Sequence, residues 1–463
     1  MRSSLPLEVV GAKRVYRFPL RALVVSIVCL FAPVFLAAGC GADTEATVGT
    51  SESLVGRLDA SLARAGRWLL AEQSPDGAWR SKVYGCFRDG PELTPHVLSC
   101  LFFIPQGGEG VRPAFDRGAT FMMSLVGDDA RIHAGPHGLN FPVFTAGSAS
   151  RVIVLEKADE AHERARLAWL AYLRERQLAE ANGWSPADPS YGGWGFSIQV
   201  PTRPKVGEPR ERFFESNLVA TVFGIAALRS AKVPPDDPIY EKVLVFVKRC
   251  QNYAEDPAKA DPQFDDGGFV FAPDDPLQNK AGVAGTDRFG RTRFHSYGSM
   301  TADGLRALLR CGLPSDHPRV AAARRWLEKH FTAATNPGIF AADREVLRDA
   351  TYYYYCWAVA HAFLAAGARE IETKDGKVKW AEALAEELIR RQRPDGTWAN
   401  RFTDAKEDDP MVATPWAAAA LAICRGAITG EHKAIGRPCA TPIGAGNEKP
   451  DLSRMATRKE GQR

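Results

Sequence analysis

The chain has 463 residues, a formal net charge of +4, 25% charged residues and 10% aromatic residues. These values are those of an ordinary globular protein with one large core or two domains. No basic stripe alternates with aromatic residues, so the composition argues against a nucleic-acid partner.

Residues 1–40 have the pattern of a targeting segment. Basic residues between positions 13 and 21 precede an apolar run over 22–39, which ends in the letters LAAGC. This ending resembles a bacterial lipoprotein signal with Cys40 as the acylated residue. An ordinary cleaved signal peptide and an uncleaved anchor helix are the alternatives, because about 18 apolar residues can barely span a bilayer. Each of the three predicts export, and the lipoprotein signal and the anchor helix also predict that the globular part stays associated with the outer face of the membrane.

Two kinds of helical segment alternate strictly along the rest of the chain. The first kind is amphipathic and covers roughly 54–73, 113–126, 160–178, 237–251, 317–332 and 378–392. The second kind is rich in small and aromatic residues and covers roughly 94–104, 141–156, 216–230, 298–311, 349–366 and 412–425. A helix that is apolar nearly all round is buried, whereas one with a charged face lies at the surface. Residues 50–430 are therefore predicted to form an all-α fold, an α/α toroid with six inner and six outer helices.

Two other segments have no helical periodicity. The connection over 252–297 is rich in Gly, Pro and Asp, and loops of this length are usually functional or disordered. Residues 431–463 are predicted to be a disordered tail.

A heptapeptide occurs twice, as QSPDGAW at Gln73–Trp79 and as QRPDGTW at Gln392–Trp398. Each copy follows an outer helix. Asp-Gly is suited to the turn, the Trp can cover a helix end, and the Gln can bond unpaired backbone groups at a neighbouring terminus. The pattern predicts a structural role for six residues: Gln73, Asp76, Trp79, Gln392, Asp395 and Trp398.

These heptapeptides resemble the QW motif of squalene–hopene cyclases and oxidosqualene cyclases. The segments FDDGGFVF at 264–271 and YGGWGFS at 191–197 resemble turns of the same superfamily, which includes the β subunits of protein prenyltransferases. The resemblance covers roughly 54–425 and implies an α/α barrel, the fold that the helix alternation predicts independently. It also implies that the QW motifs clamp helical hairpins and are not catalytic.

The catalytic residues of that superfamily are missing from the sequence. Its cyclases protonate an alkene with the acid of a DxDDTA motif, but the local counterpart GSMTADGL has Ser299 and Met300 in place of the two adjacent Asp residues. Its prenyltransferases hold zinc with an Asp-x-Cys pair and a distant His, and this sequence has neither that pair nor a close histidine spacing. No metal or cofactor is predicted, and whether the protein is an enzyme stays open.

Polar residues near the starts of inner helices are the remaining candidates for catalysis. Asp303, Asp349 and Asp409 are candidate acids. The alternative for Asp349 and Asp409 is helix capping, because Asp favours that position. The alternative for Asp303 is a bond to a neighbouring helix.

The segment TYYYYCWAVAH supplies candidate ligand-binding residues. Tyr352 and Tyr355 are three residues apart and share a helix face, and His361 lies roughly on the same side. An aromatic cavity would suit a prenyl chain or a carbocation. The alternative is packing between inner and outer helices.

Together these features predict an exported, membrane-anchored protein that binds an apolar polyprenyl or terpenoid ligand in the barrel. No protein partner can be identified. The alternatives are a non-catalytic interaction scaffold and a glycan-acting toroid with paired carboxylates. The barrel lining distinguishes them: a deep aromatic pocket with one buried Asp favours a ligand-binding enzyme. A barrel centre filled by side chains, or a shallow polar cleft, favours a scaffold.

Overall fold

The computed structural model describes residues 53–104, 110–135, 137–156, 159–205, 207–208 and 214–431. The predicted targeting segment 1–40 with Cys40 lies outside these residues, as does the predicted tail beyond Glu431.

Each of the twelve predicted helical segments contains a helix. The outer helices are α1 (Leu54–Ala71), α3 (Val111–Ser124), α5 (Glu160–Arg174), α7 (Pro238–Arg249), α9 (Pro318–His330) and α11 (Trp380–Arg391). The inner helices are α2 (Thr94–Phe103), α4 (Pro142–Glu156), α6 (Leu218–Ser230), α8 (Gly298–Arg310), α10 (Tyr352–Ala365) and α12 (Pro410–Thr429).

The inner helices form a closed ring. Each contacts the next in the order α2, α4, α6, α8, α10, α12, and α12 contacts α2 again. The outer helices pack on this ring, as α3 does on α2, α5 on α4 and α9 on α8. The all-α toroid with six inner and six outer helices is therefore confirmed. Among the described helices, α12 is the one long and apolar enough to cross a membrane, but 78% of its apolar stretch is buried inside the protein, as expected of an inner helix.

Helix boundaries follow local sequence signals. The side chains of Asp159, Asn217, Asp237 and Asp409 accept hydrogen bonds from backbone N–H groups in the first turns of α5, α6, α7 and α12. These are preferred N-cap residues, because their short side chains satisfy donors that have no partner within the helix. Gly430 ends α12 in a left-handed conformation.

Two short antiparallel hairpins interrupt the helical pattern. Strand β1 (Val283–Thr286) pairs with β2 (Thr292–Phe294), and β3 (Ile371–Thr373) pairs with β4 (Gly376–Val378). Strands of three or four residues are too short to show a sustained alternation, so the sequence analysis did not predict them. The first hairpin lies in the long connection 252–297, which is ordered throughout.

The tryptophans of the two heptapeptides bond to the outer helix that precedes each of them. The indole Nε1 of Trp79 donates to the carbonyl of Leu69 at 2.7 Å, and that of Trp398 donates to the carbonyl of Leu388 at 2.8 Å. Both indole rings are fully buried. Each tryptophan therefore fixes the end of its own outer helix.

The glutamines of the heptapeptides reach the next outer helix. Gln73 Nε2 donates to the carbonyl of Ala114 in α3 at 2.8 Å, and Gln392 Nε2 donates to the carbonyl of Ser61 in α1 at 2.9 Å. Since α1 is the first helix of the toroid and Gln392 follows the last outer helix, this second bond closes the ring.

Two related contacts lie between the two heptapeptides in the sequence. We call these four Gln and Trp contacts joints. Gln177 Nε2 donates to Gly192, and Trp194 Nε1 donates to Leu173. Gln251 Nε2 donates to the carbonyl of Arg319 in α9. The Gln177 joint thus repeats the tryptophan bond to the preceding outer helix, and the Gln251 joint repeats the glutamine bond to the next outer helix.

Candidate functional site

Aromatic side chains from five inner helices meet in the centre of the ring. We call them the aromatic cluster: His96, Phe144, Phe223, Tyr354, Trp357 and Trp416. The ring centroids of Trp357 and Trp416 are 4.6 Å apart, those of His96 and Trp416 are 4.1 Å apart, and Phe223 stacks on Trp357 at 5.8 Å. Five of the six inner helices therefore contribute an aromatic side chain to the centre of the ring.

A small cavity lies against the aromatic cluster. Its volume is about 20 Å³, which is enough for roughly one water molecule. Its wall includes four large aromatic side chains, those of Phe103, Phe223, Trp357 and Trp416, and Arg151 also lines it, together with two serines on α2 and α4. The barrel centre is therefore largely filled, and its remaining space combines an apolar wall with a cation.

Asp303 lies in the lumen and is fully buried. Its Oδ1 accepts a hydrogen bond from Arg306 Nη1 at 2.8 Å, and its Oδ2 accepts one from the hydroxyl of Tyr354 at 2.5 Å. Burial raises the pKa of Asp303 to about 6, while Arg306 and the Tyr354 hydroxyl act in the opposite direction. At neutral pH this carboxyl group is ionised and serves as the counter-ion of Arg306.

Two more arginines share this part of the lumen. Arg151 on α4, Arg306 and Arg310 on α8 form what we call the arginine cluster. The guanidinium of Arg306 lies over the ring of Trp357, 4.3 Å from its centroid. Burial and the charge of Arg306 lower the pKa of Arg151 to about 10. Burial and the charges of Arg306 and Arg151 lower that of Arg310 well below its ordinary value.

His361 lies between the aromatic cluster and the arginine cluster. Its ring is 4.9 Å from Trp357 and 6.3 Å from Phe103, measured between centroids. Burial and the nearby charges of Arg306, Arg310 and Arg151 lower the pKa of His361 well below its ordinary range. The imidazole is therefore neutral at physiological pH.

The other two candidate acids are held by structural bonds. Asp349 Oδ1 accepts hydrogen bonds from the hydroxyl of Thr335 at 2.5 Å and from the backbone of Asn336. Asp409 caps α12 through the N–H of Met411, and its other oxygen accepts from the hydroxyl of Ser81. Of the three predicted acids, the structure places Asp303 beside the aromatic cluster.

The predicted orientation of Tyr352 and Tyr355 needs correction. Their hydroxyls donate to the carbonyls of Ala333 at 2.6 Å and Thr332 at 2.9 Å, in the connection that follows outer helix α9. Both side chains are almost completely buried between the inner and outer layers. Spacing alone left open whether they line a cavity or pack between inner and outer helices, because it cannot tell one face of an all-round apolar helix from the other; they pack between the layers. Tyr354, which was not singled out, occupies the lumen instead.

Glu407 is a buried acid that the sequence analysis missed. Its two oxygens accept hydrogen bonds from the backbone N–H groups of Tyr353 and Tyr354, at 2.9 and 2.8 Å, in the first turn of α10. Burial raises the pKa of Glu407 to about 7, against these bonds. A carboxylate that caps a helix from a distant loop carries no local signal in the sequence.

Within the described parts of the chain, no three His, Cys, Asp or Glu side chains come close enough together to hold a metal ion. Cys86 and Cys100, and the four other described cysteines, are free thiols. The chemistry of the lumen therefore comes from aromatic rings, arginines and one carboxylate.

No protein-family model and no curated protein matches the chain. Among solved structures, the type II terpene cyclase MstE from Scytonema is similar, at 13% identity over 81% of this chain and 99% of that chain, with a TM-score of 0.49. A protein from Actinoplanes has 14% identity over 80% and 99% of the chains and a TM-score of 0.48. The unsaturated glucuronyl hydrolase from Bacillus sp. GL1 has 14% identity over 80% and 96% and a TM-score of 0.45. At these values the likeness carries no inference about activity or ligand.

Proposed function

We propose that the toroid binds a small molecule with an apolar body, such as a polyprenyl or terpenoid chain, in its lumen. The observation that carries this proposal is the aromatic cluster, to which five of the six inner helices contribute and which borders the lumenal cavity. Binding sites for small molecules are concave and mostly apolar, with a few convergent polar groups. The aromatic cluster with the adjoining Arg151 has this composition.

Ligand entry requires side chains to move. A cavity of about 20 Å³ is far smaller than the few hundred Å³ typical of ligand pockets. Phe103 and Ser99 line the cavity and are only partly buried although they belong to an inner helix. We propose that the ligand displaces these side chains from the lumen rather than occupying existing space.

We propose a binding role rather than acid catalysis for Asp303. Protonation of an alkene requires an acid that is kept protonated and free to donate. Asp303 instead pairs with Arg306 at 2.8 Å and accepts from Tyr354. Both of its oxygens are therefore engaged, and its charge balances an arginine.

The second candidate function is a non-catalytic scaffold that uses the surface of the toroid. The small size of the cavity favours it, because a filled barrel centre stabilises a ring without binding anything. Ligand extraction distinguishes the two candidates, since a scaffold has no reason to retain a lipid.

The test of lumenal binding uses the full chain, purified from the producing cells in a mild detergent and extracted with organic solvent. We expect mass spectrometry to find a polyprenyl or terpenoid lipid in roughly stoichiometric amount. The variant Ala419→Leu adds bulk to the cavity wall and should lose the lipid. Leu277→Ala, at an exposed position, is the matched control and should retain it. An extract without lipid from the wild-type chain would contradict the proposal.

We also propose export and lipid anchoring through Cys40, on the basis of the segment LAAGC. The variant Cys40→Ala should move the protein from the membrane fraction to the soluble fraction. Retention of Cys40→Ala in the membrane would instead indicate an anchor helix over the apolar run 22–39, and release of both forms would indicate ordinary cleavage.

A further inference from the structure

The charges in the lumen do not balance. Three guanidinium groups, those of Arg151, Arg306 and Arg310, face one carboxylate, that of Asp303. Burial and the mutual repulsion of these arginines lower the pKa of Arg151 and Arg310. Charged groups are rarely buried without a partner, because removal from water is unfavourable by several kcal/mol per ion. The described residues thus leave an excess of positive charge in the centre of the toroid.

Several donors in this region also have no acceptor. Nε of Arg151, Nε of Arg306 and Nη1 of Arg310 are buried atoms without a hydrogen-bond partner among the described residues, and so is Nε2 of His361. Arg306 is 2% exposed, and Arg151 and Arg310 are partly exposed as residues although these atoms are buried. A buried donor without a partner is unfavourable by about 1–3 kcal/mol, and more when it is charged. Three such arginine atoms, beside an imidazole nitrogen that also has no partner among the described residues, indicate that an acceptor belongs there.

The fold supplies only part of the missing negative charge. Arg310 lies in the last turn of α8, where the carbonyl end of the helix favours a cation. The ring of Trp357 faces the guanidinium of Arg306 at 4.3 Å and adds a cation–π contact. Neither feature provides an acceptor for the unpartnered N–H groups. The indole ring of Trp357 contacts the guanidinium of Arg306 through its face, and the carbonyl end of α8 lies C-terminal to Arg306.

One arginine near the end of an inner helix, outside the lumen, is balanced by carboxylates. Arg425, in the last part of α12, pairs with Asp59 at 2.6 Å and with Glu431 at 2.8 Å. It is equally cationic and lies on an inner helix, but it points toward outer helix α1. Arg425 thus has the carboxylate partners that Arg151 and Arg310 lack among the described residues.

We propose that the arginine cluster is a binding site for a doubly charged oxyanion, such as the phosphate group of a phosphate monoester. Guanidinium groups bind phosphate and carboxylate oxygens in pairs of parallel hydrogen bonds, and two negative charges would balance the excess. Asp303 orients Arg306, and His361, which is neutral, supplies a further donor from Nε2. The inference deepens the proposed function, on which it rests only for the apolar body of the ligand.

The test uses three probes with the full chain: octyl phosphate, octanol and inorganic phosphate, each at matched ionic strength. Dissociation constants come from calorimetry and are checked by the shift of the melting temperature. We expect octyl phosphate to bind at least about tenfold more tightly than octanol, because charge-assisted hydrogen bonds contribute to the first ligand alone.

Substitutions locate the site. Arg310→Gln and, separately, Arg151→Gln should each weaken octyl phosphate binding about tenfold and leave octanol binding unchanged. Arg310→Lys should retain part of the affinity, because it keeps the charge but not the fork of donors. Arg425→Gln removes the same charge from an inner helix outside the lumen and should change neither constant. Circular dichroism of each variant verifies that it folds. Because Arg310→Gln and Arg151→Gln are tested separately, the inference can still be tested if one of them fails to fold.

The outcomes separate the inference from the proposed function. Equal affinity for octanol and octyl phosphate would overturn the oxyanion site and leave lumenal binding of an apolar ligand intact. Binding of inorganic phosphate without octanol, and its loss in Arg310→Gln, would support the oxyanion site and overturn the apolar ligand. An affinity for octyl phosphate that Arg425→Gln lowers as much as Arg310→Gln would overturn the inference, because it would reflect net charge.

Discussion

Arg306 and Asp303 form an ion pair in the middle of the toroid, with Nη1 of Arg306 and Oδ1 of Asp303 2.8 Å apart. They lie one turn apart on α8 and are both buried. Arg306 also covers the ring of Trp357, and Asp303 also accepts from Tyr354 on α10. The pair therefore joins the aromatic cluster to the arginine cluster, and through these contacts α8 is fixed to α10.

Asp303→Asn tests how much this ion pair contributes to the stability of the fold. The change leaves Arg306 buried without its counter-ion, and breaking a buried pair in this way is unfavourable by about 3–5 kcal/mol. Urea unfolding should show a fall in stability of that size. Asp59→Asn, which breaks the partly exposed pair with Arg425, is the control and should change stability by no more than about 1 kcal/mol.

The double variant Asp303→Asn with Arg306→Met identifies the cause. If the loss in Asp303→Asn comes from the unpaired charge, removal of the arginine should restore a large part of the stability. Losses that simply add in the double variant would show instead that packing around Asp303, and not the charge of Arg306, is responsible.

Glu407 should make stability depend on pH. Burial raises its pKa from 4.5 to about 7 in the folded chain, so the folded state retains a proton that the unfolded state releases in this range. The contribution of Glu407 to stability is fully present below pH 4.5 and is lost as the pH rises toward 7, by at most about 1.4 kcal/mol per pH unit.

Other buried groups titrate in the same range, so the difference between two proteins is the informative quantity. The free energy of unfolding of the wild-type chain minus that of Glu407→Gln should decrease as the pH rises from about 5 to 7, because glutamine does not titrate. Chemical unfolding at four or five pH values measures it. A difference that stays constant, or that increases with pH, would show that the folded carboxyl group is ionised throughout.

Gln392→Ala tests the closure of the ring. Its side chain donates to Ser61 and Gly396 and accepts from the hydroxyl of Ser61 at 2.8 Å, so truncation leaves several partly buried groups without partners. We expect a loss of about 2 kcal/mol in urea unfolding, together with faster proteolysis within α1. Gln263→Ala, at an exposed position, is the control. A loss no larger than that of the control would mean that packing alone closes the ring.

Gly192→Ala tests the close approach between Gly192 and the backbone of Lys242, at the joint that Gln177 forms. Gly192 has a φ of +94°, and a Cβ there would lie 1.9 Å from the carbonyl oxygen of Lys242. We expect destabilisation of about 3 kcal/mol or more, because strain and a clash with backbone coincide. Gly290 has a φ of +77° but no heavy atom within 4 Å of the same position, so Gly290→Ala should lose only about 1 kcal/mol. Similar losses of stability for both variants would show that the backbone conformation alone, and not the clash with Lys242, causes the effect.

The sequence predicted the architecture well because helical periodicity and burial pattern are local properties. The segment predicted over 54–73 is α1 over Leu54–Ala71, and the one over 298–311 is α8 over Gly298–Arg310. The tryptophans of the heptapeptides lie against the ends of their own outer helices, whereas Gln392 bonds a carbonyl in the interior of α1 and not at a helix terminus. The hairpins of β1 with β2 and of β3 with β4 were missed because such short strands have no period of their own.

The lumen was predicted less well because it depends on which face of an inner helix points inward. Helical periodicity cannot distinguish Tyr352 from Tyr354, because α10 is apolar on all sides. Only the packing of Tyr352 against the outer layer distinguishes them. The arginine cluster was missed because Arg151 and Arg306 are 155 positions apart in the sequence. One signal was present: Arg306 and Arg310 are like charges at an i, i+4 spacing on a helix predicted to be buried, which is unfavourable unless something balances them.

The most direct test of the account is to locate an anion in the lumen. Crystals of the full chain grown with sodium tungstate, a doubly charged oxyanion, would give an anomalous signal at each bound ion. We predict a peak within hydrogen-bonding distance of the guanidinium groups of Arg306 and Arg310, and its absence from crystals of Arg310→Gln. Peaks confined to surface arginines such as Arg425, with an empty lumen in the wild-type chain, would contradict the account.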